Sequence, residues 1–242
     1  MKVTLLGHTQ LSREFKRLLD ELAFTKRIEP TDGQAIALSA IRTCYSHNRP
    51  SEIVQLEGEK YFGQVASDGE GGTDADRLMR HIVKSGHTST LEHLTYTFAI
   101  EGVSRSLLAQ LTRHRHFSYS VQSQRYVRFG SEDKSGGFDA VVPKTVEANV
   151  KGDSEGIYLD ALQMIQDVYN NLREAGVPAE DARYILPNAA TCNLVLTGNL
   201  RSILDFYSKR SAKQAQWEIR ELVEHIKGEV VKVEPWVSGF FK

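Results

Sequence analysis

The sequence has few cysteines and no long apolar run. Its 242 residues include only Cys44 and Cys192, which lie far apart and form no CxxC pair. Two cysteines exclude a disulfide framework, and their spacing argues against a cysteine-based zinc cluster. No apolar stretch approaches the roughly 20 residues that cross a bilayer, and the N-terminus has too few apolar residues for a secretory signal. We therefore expect a cytoplasmic protein without a membrane span.

Acidic residues are absent between Glu101 and Glu132, although the net charge of the whole chain is only −1. A local positive field in a near-neutral protein favours a bound anion over a surface that binds nucleic acid throughout. Because no acid intervenes to pair with the cations, Ser118 and Ser123 are predicted to join the arginines in a phosphate clamp. The cations of this stretch are Arg105, Arg113, Arg115, Arg125, Arg128, His114 and His116.

Hydrophobic periodicity predicts an interleaved set of helices and strands, which is typical of a single α/β or α+β domain over residues 1–242. The predicted helices cover residues 10–23, 33–47, 51–63, 74–85, 103–115, 154–175, 199–210 and 213–228. The predicted strands cover residues 2–7, 94–101, 124–129, 138–143 and 190–197.

The stretch 110–128 is the most informative for function. Helix 103–115 is predicted to pack on the core and to end in the run Arg113-His114-Arg115. Cations at a helix C-terminus are stabilised by the macrodipole, which is a purely structural explanation for the run. It leaves unexplained why Ser123 and Arg125 follow with no acid between them, so a phosphate-binding role stays open beside it.

This run resembles the signature of the flavin-dependent thymidylate synthases, in which Arg-His-Arg is followed after seven residues by Ser, here Ser123. The match extends over about residues 40–220. The further matching residues are Gly86, His87, Thr88, Ser89, Glu92, His93, Gln110, Ser118, Arg125, Tyr126, Arg183, Leu186, Pro187, Asn199, Leu200, Arg201 and Arg210.

The resemblance implies an α/β fold with a mixed central sheet and flanking helices, the fold of the thymidylate synthase complementing proteins. It implies reductive methylation of dUMP to dTMP by a methyltransferase that uses 5,10-methylenetetrahydrofolate, NADPH and bound FAD. It also implies a homotetramer whose active sites form between subunits. Neither nucleic acid, a membrane nor a metal ion is an expected partner.

The resemblance also implies a role for individual residues. The expected FAD contacts are Ser89, Arg113, His114, Arg115, Asn199, Leu200, Arg201 and Asp205. The expected dUMP contacts are Gln110, Leu111, Thr112, Arg113, Val121, Gln122, Ser123, Gln124, Arg125, Arg183 and Arg210. Two residues depart from the family pattern: Val121 replaces a polar residue, and Asp205 replaces Asn or His.

The residue pattern and the family resemblance give two different interpretations of Arg210. In the helix that starts after Asn199, the apolar stripe Leu200, Ile203, Leu204 and Tyr207 points one turn further to Arg210. One interpretation is a cation that snorkels out at the helix C-terminus. The resemblance implies instead that Arg210 bonds the uracil ring and favours its N3-deprotonated form. Asn199 is likewise a good helix N-cap, whatever else it does.

Other functions fit the residues less well. The spacing of His87, Glu92 and His93 matches no zinc-binding helix motif, although the family places a histidine like His87 near substrate and folate. Neither cysteine has the Pro-Cys context of the flavin-independent synthases, and Ser123 has no base beside it in sequence, so we assign it substrate positioning. A non-flavin nucleotide enzyme stays open. So does an RNA-binding module that stacks bases on Tyr119, Tyr126 and Phe129.

Overall fold

The computed structural model describes residues 1–21, 30–148 and 152–242. In these residues, strands β1, β2, β3 and β4 form one sheet in the order β1-β2-β4-β3. The strands are β1 (Lys2–His8), β2 (Thr95–Ser104), β3 (Ser118–Val121) and β4 (Thr191–Asn199).

Neighbouring strands of the sheet run antiparallel. Where β1 ends, the Thr9 N–H donates to the carbonyl oxygen of Thr95 at 2.9 Å. At the other end of β1, Nζ of Lys2 lies 3.6 Å from the Glu101 carboxylate of β2. Strands β1 and β2 therefore run in opposite directions. The expected α/β class with flanking helices is confirmed. The sheet itself is antiparallel rather than mixed.

Helices fill most of the remaining described chain. Capping boxes start two of them, where Thr31 pairs with Gln34 and Thr73 pairs with Asp76. No described helix is long and apolar enough to span a bilayer. The helices are α1 (Arg13–Glu21), α2 (Asp32–Thr43), α3 (Ile53–Phe62), α4 (Asp74–Lys84), α5 (Arg105–Leu111), α6 (Lys144–Glu147), α7 (Ser154–Glu174), α8 (Ala179–Ala182), α9 (Leu200–Arg210) and α10 (Trp217–Val233), with 3-10 helices at Thr88–His93, Arg183–Ile185 and Pro235–Phe240.

The described residues divide into two compact units. The first, unit 1, comprises Met1–Lys2, Ala99–Arg115 and Tyr119–Leu196. A cluster around Phe129, Tyr169 and Ala182 forms part of its core. Half-buried apolar side chains surround this cluster, namely Val127, Phe138, Leu172, Val177, Ile185 and Leu186.

Unit 2 comprises Val3–Phe98, His116–Ser118 and Thr197–Lys242. Most of its buried side chains come from α2, α3, α4, β2, α9, α10 and the 3-10 helices Thr88–His93 and Pro235–Phe240. Phe117 packs edge-on against Phe206 of α9, with ring centroids 5.4 Å apart. The largest fully buried members of this core are Tyr96, Phe98, Phe206, Leu38, Ile41, Ile53, Met79, Leu91 and Leu94.

Two predicted strands are wrong, and one strand was missed. Residues 124–129 turn back on themselves, because the Val127 N–H donates to the Ser123 carbonyl oxygen at 3.0 Å in a helical turn. Residues 138–143 make only an isolated bridge, Ala140 to Ala190, before Pro143, which has no N–H to continue a ladder. The missed strand is β3, four residues within the stretch that the signature covers.

The predicted helix bounds also shift. Helix 103–115 begins only at Arg105, because Ser104 ends β2 and caps α5, and it ends at Leu111. The run Arg113-His114-Arg115 therefore follows the helix and does not form its last turn. The last long helix begins at Trp217 rather than residue 213, since Gln216 is its N-cap and accepts from the first backbone N–H groups. Predicted helix 10–23 is present as α1, and its residues 22–23 lie outside the described part of the chain.

Candidate active site

The arginine-rich run follows the C-terminal end of α5. Ser104 caps the start of this helix by accepting the Leu107 N–H at 3.0 Å. Leu107 and Leu111 are fully buried and anchor the helix in the core. Thr112 then ends the helix, and Arg113 leaves it in a turn. Because the Leu111 side chain is buried, any contact that this residue makes with a ligand must come from its main chain.

Tyr119 of β3 holds this turn in place. Its hydroxyl lies 2.7 Å from the carbonyl oxygen of Leu111 and 2.9 Å from that of His114. Burial raises the pKa of Tyr119 to about 12, so the hydroxyl stays a donor at neutral pH. Sequence reasoning missed this role. The signal is the alternation in β3, where Tyr119 points inward between the exposed Ser118 and Ser120.

Arg113 and Arg115 are exposed at the end of α5. Neither guanidinium makes a hydrogen bond or an ion pair within the described residues, whereas the half-buried His114 between them is engaged. Each guanidinium offers five N–H donors in a planar fork. These two forks can therefore hold an anion without first breaking an ion pair.

Arg125 does have an acidic partner, which corrects the expectation that no acid pairs with the arginines of this stretch. Its guanidinium lies 3.0 Å from the Glu180 carboxylate. Arg183 donates to the carbonyl oxygen of the same Glu180 at 2.9 Å. The structure therefore gathers two predicted dUMP contacts, distant in sequence, around one residue of α8. Both side chains of the ion pair are about half exposed, so the pair contributes little stability.

The residues from Val121 to Gln124 are half-buried and lie at the end of β3. Gln122 is tied to β4, because its N–H donates to the Asn193 carbonyl oxygen at 2.9 Å. The Ser123 hydroxyl accepts the Arg125 N–H at 3.2 Å. Within the described chain no histidine or carboxylate hydrogen-bonds to Ser123. Its geometry is that of a loop-forming residue rather than an activated nucleophile.

In unit 2, helix α9 packs against the 3-10 helix Thr88–His93. The Leu200 N–H donates to the Leu94 carbonyl oxygen at 2.8 Å, and Arg201 pairs with Glu92. Ser89 is exposed on the 3-10 helix. These contacts place the predicted FAD residues Ser89, Leu200 and Arg201 on two adjoining elements.

Three of the predicted FAD residues on β4 and α9 have structural roles that limit what they can contribute. Asn199 caps α9 by accepting the Ser202 N–H at 2.9 Å, as the sequence predicts. The Leu200 side chain is fully buried. Asp205 pairs with Lys209 at 2.7 Å, so the charge that this departure from the family pattern introduces is compensated locally.

Arg210 is the last residue of α9 and is half-buried. It continues the stripe of Leu200, Ile203 and Tyr207, which are all buried. Phe206, rather than Leu204, completes this stripe. At such a position the aliphatic stem of an arginine can lie along the apolar stripe while the guanidinium reaches a polar surface or a ligand.

The predicted dUMP contacts and the predicted FAD contacts lie mainly in different units. All predicted dUMP contacts except Arg210 lie in unit 1. The predicted FAD contacts lie in unit 2, apart from Arg113, His114 and Arg115. A surface cavity of about 330 Å³ along α10 contains none of these residues, being lined by Glu224, Lys227, Gly228, Val231, Lys232 and Ser238.

Tyr119, Tyr126 and Phe129 do not form the exposed stacking surface that the RNA-binding hypothesis requires. Phe129 is only 7% exposed and belongs to the core of unit 1. The Tyr119 hydroxyl is engaged in the turn after α5. Tyr126, at 81% exposure, is the only one of the three predicted aromatics that is open to a base.

Residues 27–236 match the sequence profile of a family described as "Thymidylate synthase complementing protein". A flavin-dependent thymidylate synthase of Geobacter sulfurreducens is 37% identical over 237 residues, which cover 98% of this chain and 85% of that protein. The chain belongs to the family of flavin-dependent thymidylate synthases. A second member, from Clostridium tetani, is 33% identical over 84% of this chain and 79% of its own length.

A solved structure shares the fold of the present chain. It is the flavin-dependent thymidylate synthase of Helicobacter pylori complexed with FAD and dUMP, with a TM-score of 0.65 and 23% identity, and it covers 100% of this chain and 98% of that one. The resemblance seen in the signature is thus confirmed, as is the enzyme class, a methyltransferase of dTMP synthesis.

Proposed function

We propose that this chain converts dUMP to dTMP, with 5,10-methylenetetrahydrofolate as one-carbon donor and NADPH as the reductant of bound FAD. The observation that carries the proposal is the pair of exposed guanidinium groups, Arg113 and Arg115, that have no acidic partner in the described residues of this family member. Both dUMP and FAD are phosphate esters, and an arginine guanidinium binds phosphate in bidentate fashion.

On the dUMP side, Arg125 and Arg183 bind the phosphate, since they already converge on Glu180. The anionic phosphate takes the place of the Glu180 carboxylate, because an exposed ion pair is worth only about 0.2–1 kcal/mol. The polar side chains of Gln110, Ser123 and Gln124 orient the nucleoside. Four other residues contribute through their main chain or side-chain polar atoms, namely Leu111, Thr112, Val121 and Gln122.

Arg210 acts on the uracil ring. Its guanidinium stabilises negative charge on the ring and so favours loss of the N3 proton. Arg210 follows the buried stripe of α9, and a guanidinium placed there before substrate binds would lose little conformational entropy at the moment of reaction.

On the FAD side, Arg113, His114 and Arg115 meet the cofactor from α5. Ser89, Asn199, Arg201 and Asp205 contribute polar groups, and Leu200 contributes through its main chain. When bound, FAD supplies the hydride chemistry. The residues present suit a dinucleotide, since the guanidinium groups of Arg113 and Arg115 have no acidic partner in the described residues and polar side chains lie at a helix start.

The proposal includes the organisation of the protein. The whole chain, residues 1–242, is one functional domain, and strands β2 and β4 each contribute to both units. The active protein is a cytoplasmic homotetramer in which active sites form between subunits.

Colour and turnover test the proposed function together. The purified protein should be yellow, or become yellow on addition of FAD. It should oxidise NADPH and form dTMP when dUMP and 5,10-methylenetetrahydrofolate are present. A protein that neither binds FAD nor oxidises NADPH with dUMP present would refute the proposal.

Arg115→Ala should loosen FAD by roughly 10- to 100-fold, because it removes charge-assisted hydrogen bonds worth about 1.5–3 kcal/mol. The Kd is measured by fluorescence titration of the apoprotein with FAD. Arg128→Ala is the matched control, since Arg128 is another exposed arginine of the same stretch and has no assigned contact. Equal FAD retention in Arg115→Ala and the control would contradict the contact.

Glu180→Gln should lower the KM for dUMP about 2- to 5-fold and leave kcat unchanged, because Arg125 no longer has a competing carboxylate. Steady-state kinetics at low ionic strength give the clearest difference, since salt screens exposed charges. Glu174→Gln removes another exposed carboxylate of unit 1 and serves as the control. A raised KM in Glu180→Gln would mean that Glu180 helps to bind substrate.

A further inference from the structure

Tyr45 and His87 form a pair in unit 2 that the proposed reaction does not yet use. The Tyr45 hydroxyl lies 2.9 Å from Nδ1 of His87. The two rings meet edge to face, with centroids 5.8 Å apart and an interplanar angle of 90°. His87 immediately precedes the 3-10 helix that carries Ser89, one of the proposed FAD contacts.

The Tyr45 backbone is fixed by the turn that follows α2. Its N–H donates to the Arg42 carbonyl oxygen at 2.9 Å, and the Ser46 N–H donates to the same oxygen at 2.7 Å. These bonds fix the backbone from which the Tyr45 side chain, which is 59% exposed, reaches His87.

The Glu57 carboxylate of α3 stabilises this turn through hydrogen bonds. Glu57 accepts hydrogen bonds from Arg42, Ser46 and Asn48, the first at 2.6 Å. Burial raises the pKa of Glu57, but the bonds from Ser46, Arg42 and Asn48 outweigh it and leave the pKa below its usual value. Glu57 is therefore ionised at neutral pH and holds both flanks of Tyr45.

The hydrogen bond sets the tautomer of His87. A phenol, with an ordinary pKa near 10, is a far stronger acid than the N–H of neutral imidazole. The phenol therefore donates and Nδ1 accepts, which puts the ring proton on Nε2. Nε2 makes no hydrogen bond to any described residue, and the His87 ring is only half-buried. It thus offers an unused N–H donor to solvent or to a ligand.

We propose that Tyr45 is a positioning residue of the active site, which fixes His87 as the Nε2–H tautomer and so presents a donor to a ring carbonyl oxygen of the bound ligand. This inference rests on the proposed function for the identity of the ligand. The tautomer itself follows from the geometry of the two side chains.

A double-mutant cycle tests whether Tyr45 acts through His87. Tyr45→Phe keeps the ring and removes only the hydroxyl, and we expect kcat to fall about 3- to 10-fold. In the His87→Ala background the same change should have no further effect, because the hydroxyl no longer has a partner. Tyr158→Phe is the matched control: it removes a hydroxyl that donates to the Val141 carbonyl oxygen at 3.0 Å and should leave kcat unchanged. Additive losses from Tyr45→Phe and His87→Ala would overturn the inference.

Nitrogen NMR of the full-length protein labelled with ¹⁵N-histidine provides a readout independent of turnover. Spectra are recorded at about pH 8, where an ordinary histidine is neutral. The His87 signals are assigned by their loss in His87→Ala. The wild type should show His87 protonated on Nε2 alone, and Tyr45→Phe should populate the Nδ1–H form as well. An identical tautomer in both proteins would overturn the inference.

The two experiments separate this inference from the proposed function. If the wild type forms dTMP but the cycle is additive, Tyr45 does not act through His87 and the proposed function stands. If the wild type forms no dTMP, the proposed function fails. The NMR comparison then decides alone whether Tyr45 sets the tautomer.

Discussion

Arg210→Ala is expected to raise the KM for dUMP by roughly 10- to 100-fold while FAD remains bound. The range corresponds to the loss of hydrogen bonds to a charged group, worth about 1.5–3 kcal/mol. If Arg210 also stabilises the ionised uracil, kcat falls as well, since that charge develops during the reaction. Steady-state kinetics with varied dUMP separate the two effects, and the flavin absorbance of the purified variant reports cofactor retention.

The control for Arg210 is Arg13→Ala, which removes an exposed arginine of α1 that has no assigned role. Arg210→Lys adds a second comparison. A lysine keeps the charge but loses the planar fork, so it should recover binding only in part. An unchanged KM for dUMP in Arg210→Ala would refute the assigned role. Loss of FAD from Arg210→Ala would instead place the residue on the cofactor side.

The sequence predicts those parts of the site that depend on local pattern. Asn199 is recognisable as an N-cap, and its bond to the Ser202 N–H is local. The end of the α9 stripe at Arg210 follows from helical periodicity. These features lie within one helix, so residue spacing is sufficient to place them.

Contacts between distant segments were not predictable from spacing. Arg125 was expected to have no acid partner, because none lies near it in the chain. The structure provides Glu180 from α8. Likewise β3 was missed, since four residues are too few for period-two alternation to stand out. Both features depend on tertiary packing, which one sequence does not encode in its local pattern.

The hydrogen bonds between Tyr119 and the turn after α5 likewise depend on tertiary packing. From the sequence alone, Tyr119 is predicted only to offer a surface for stacking bases. Its hydroxyl instead binds main-chain oxygens of Leu111 and His114. The stretch that the signature covers therefore includes a half-buried tyrosine that shapes the turn from which Arg113 leaves α5.

Gly33→Ala is expected to lower the free energy of unfolding by about 3 kcal/mol. Gly33 is buried in the first turn of α2, and a methyl group there would lie 2.2 Å from Oε1 of Glu234 and 2.6 Å from its Cδ. The carboxylate would have to move. Glu234 is itself only 2% exposed, so no solvent-filled space is open to it.

The Glu234 carboxylate accepts hydrogen bonds from Thr31 and Trp236. Burial raises the pKa of Glu234, and these bonds only partly offset that rise. Displacing the carboxylate would leave its donors and the first turn of α2 without their acceptor, and each unsatisfied buried group costs about 1–3 kcal/mol. The absence of a side chain at position 33 is therefore what allows the C-terminal segment to cap α2.

Denaturant unfolding followed by circular dichroism measures the effect, with Gly228→Ala as the control. Gly228 lies inside α10, and a methyl group there would meet nothing within 4 Å. That substitution should stabilise the protein by about 0.5–1 kcal/mol, because alanine loses less entropy in a helix. Adding Glu234→Ala to Gly33→Ala removes the clash, so the double variant should lose less stability than the sum of the two single changes. Additive losses would show that Gly33 and Glu234 do not compete for the same space.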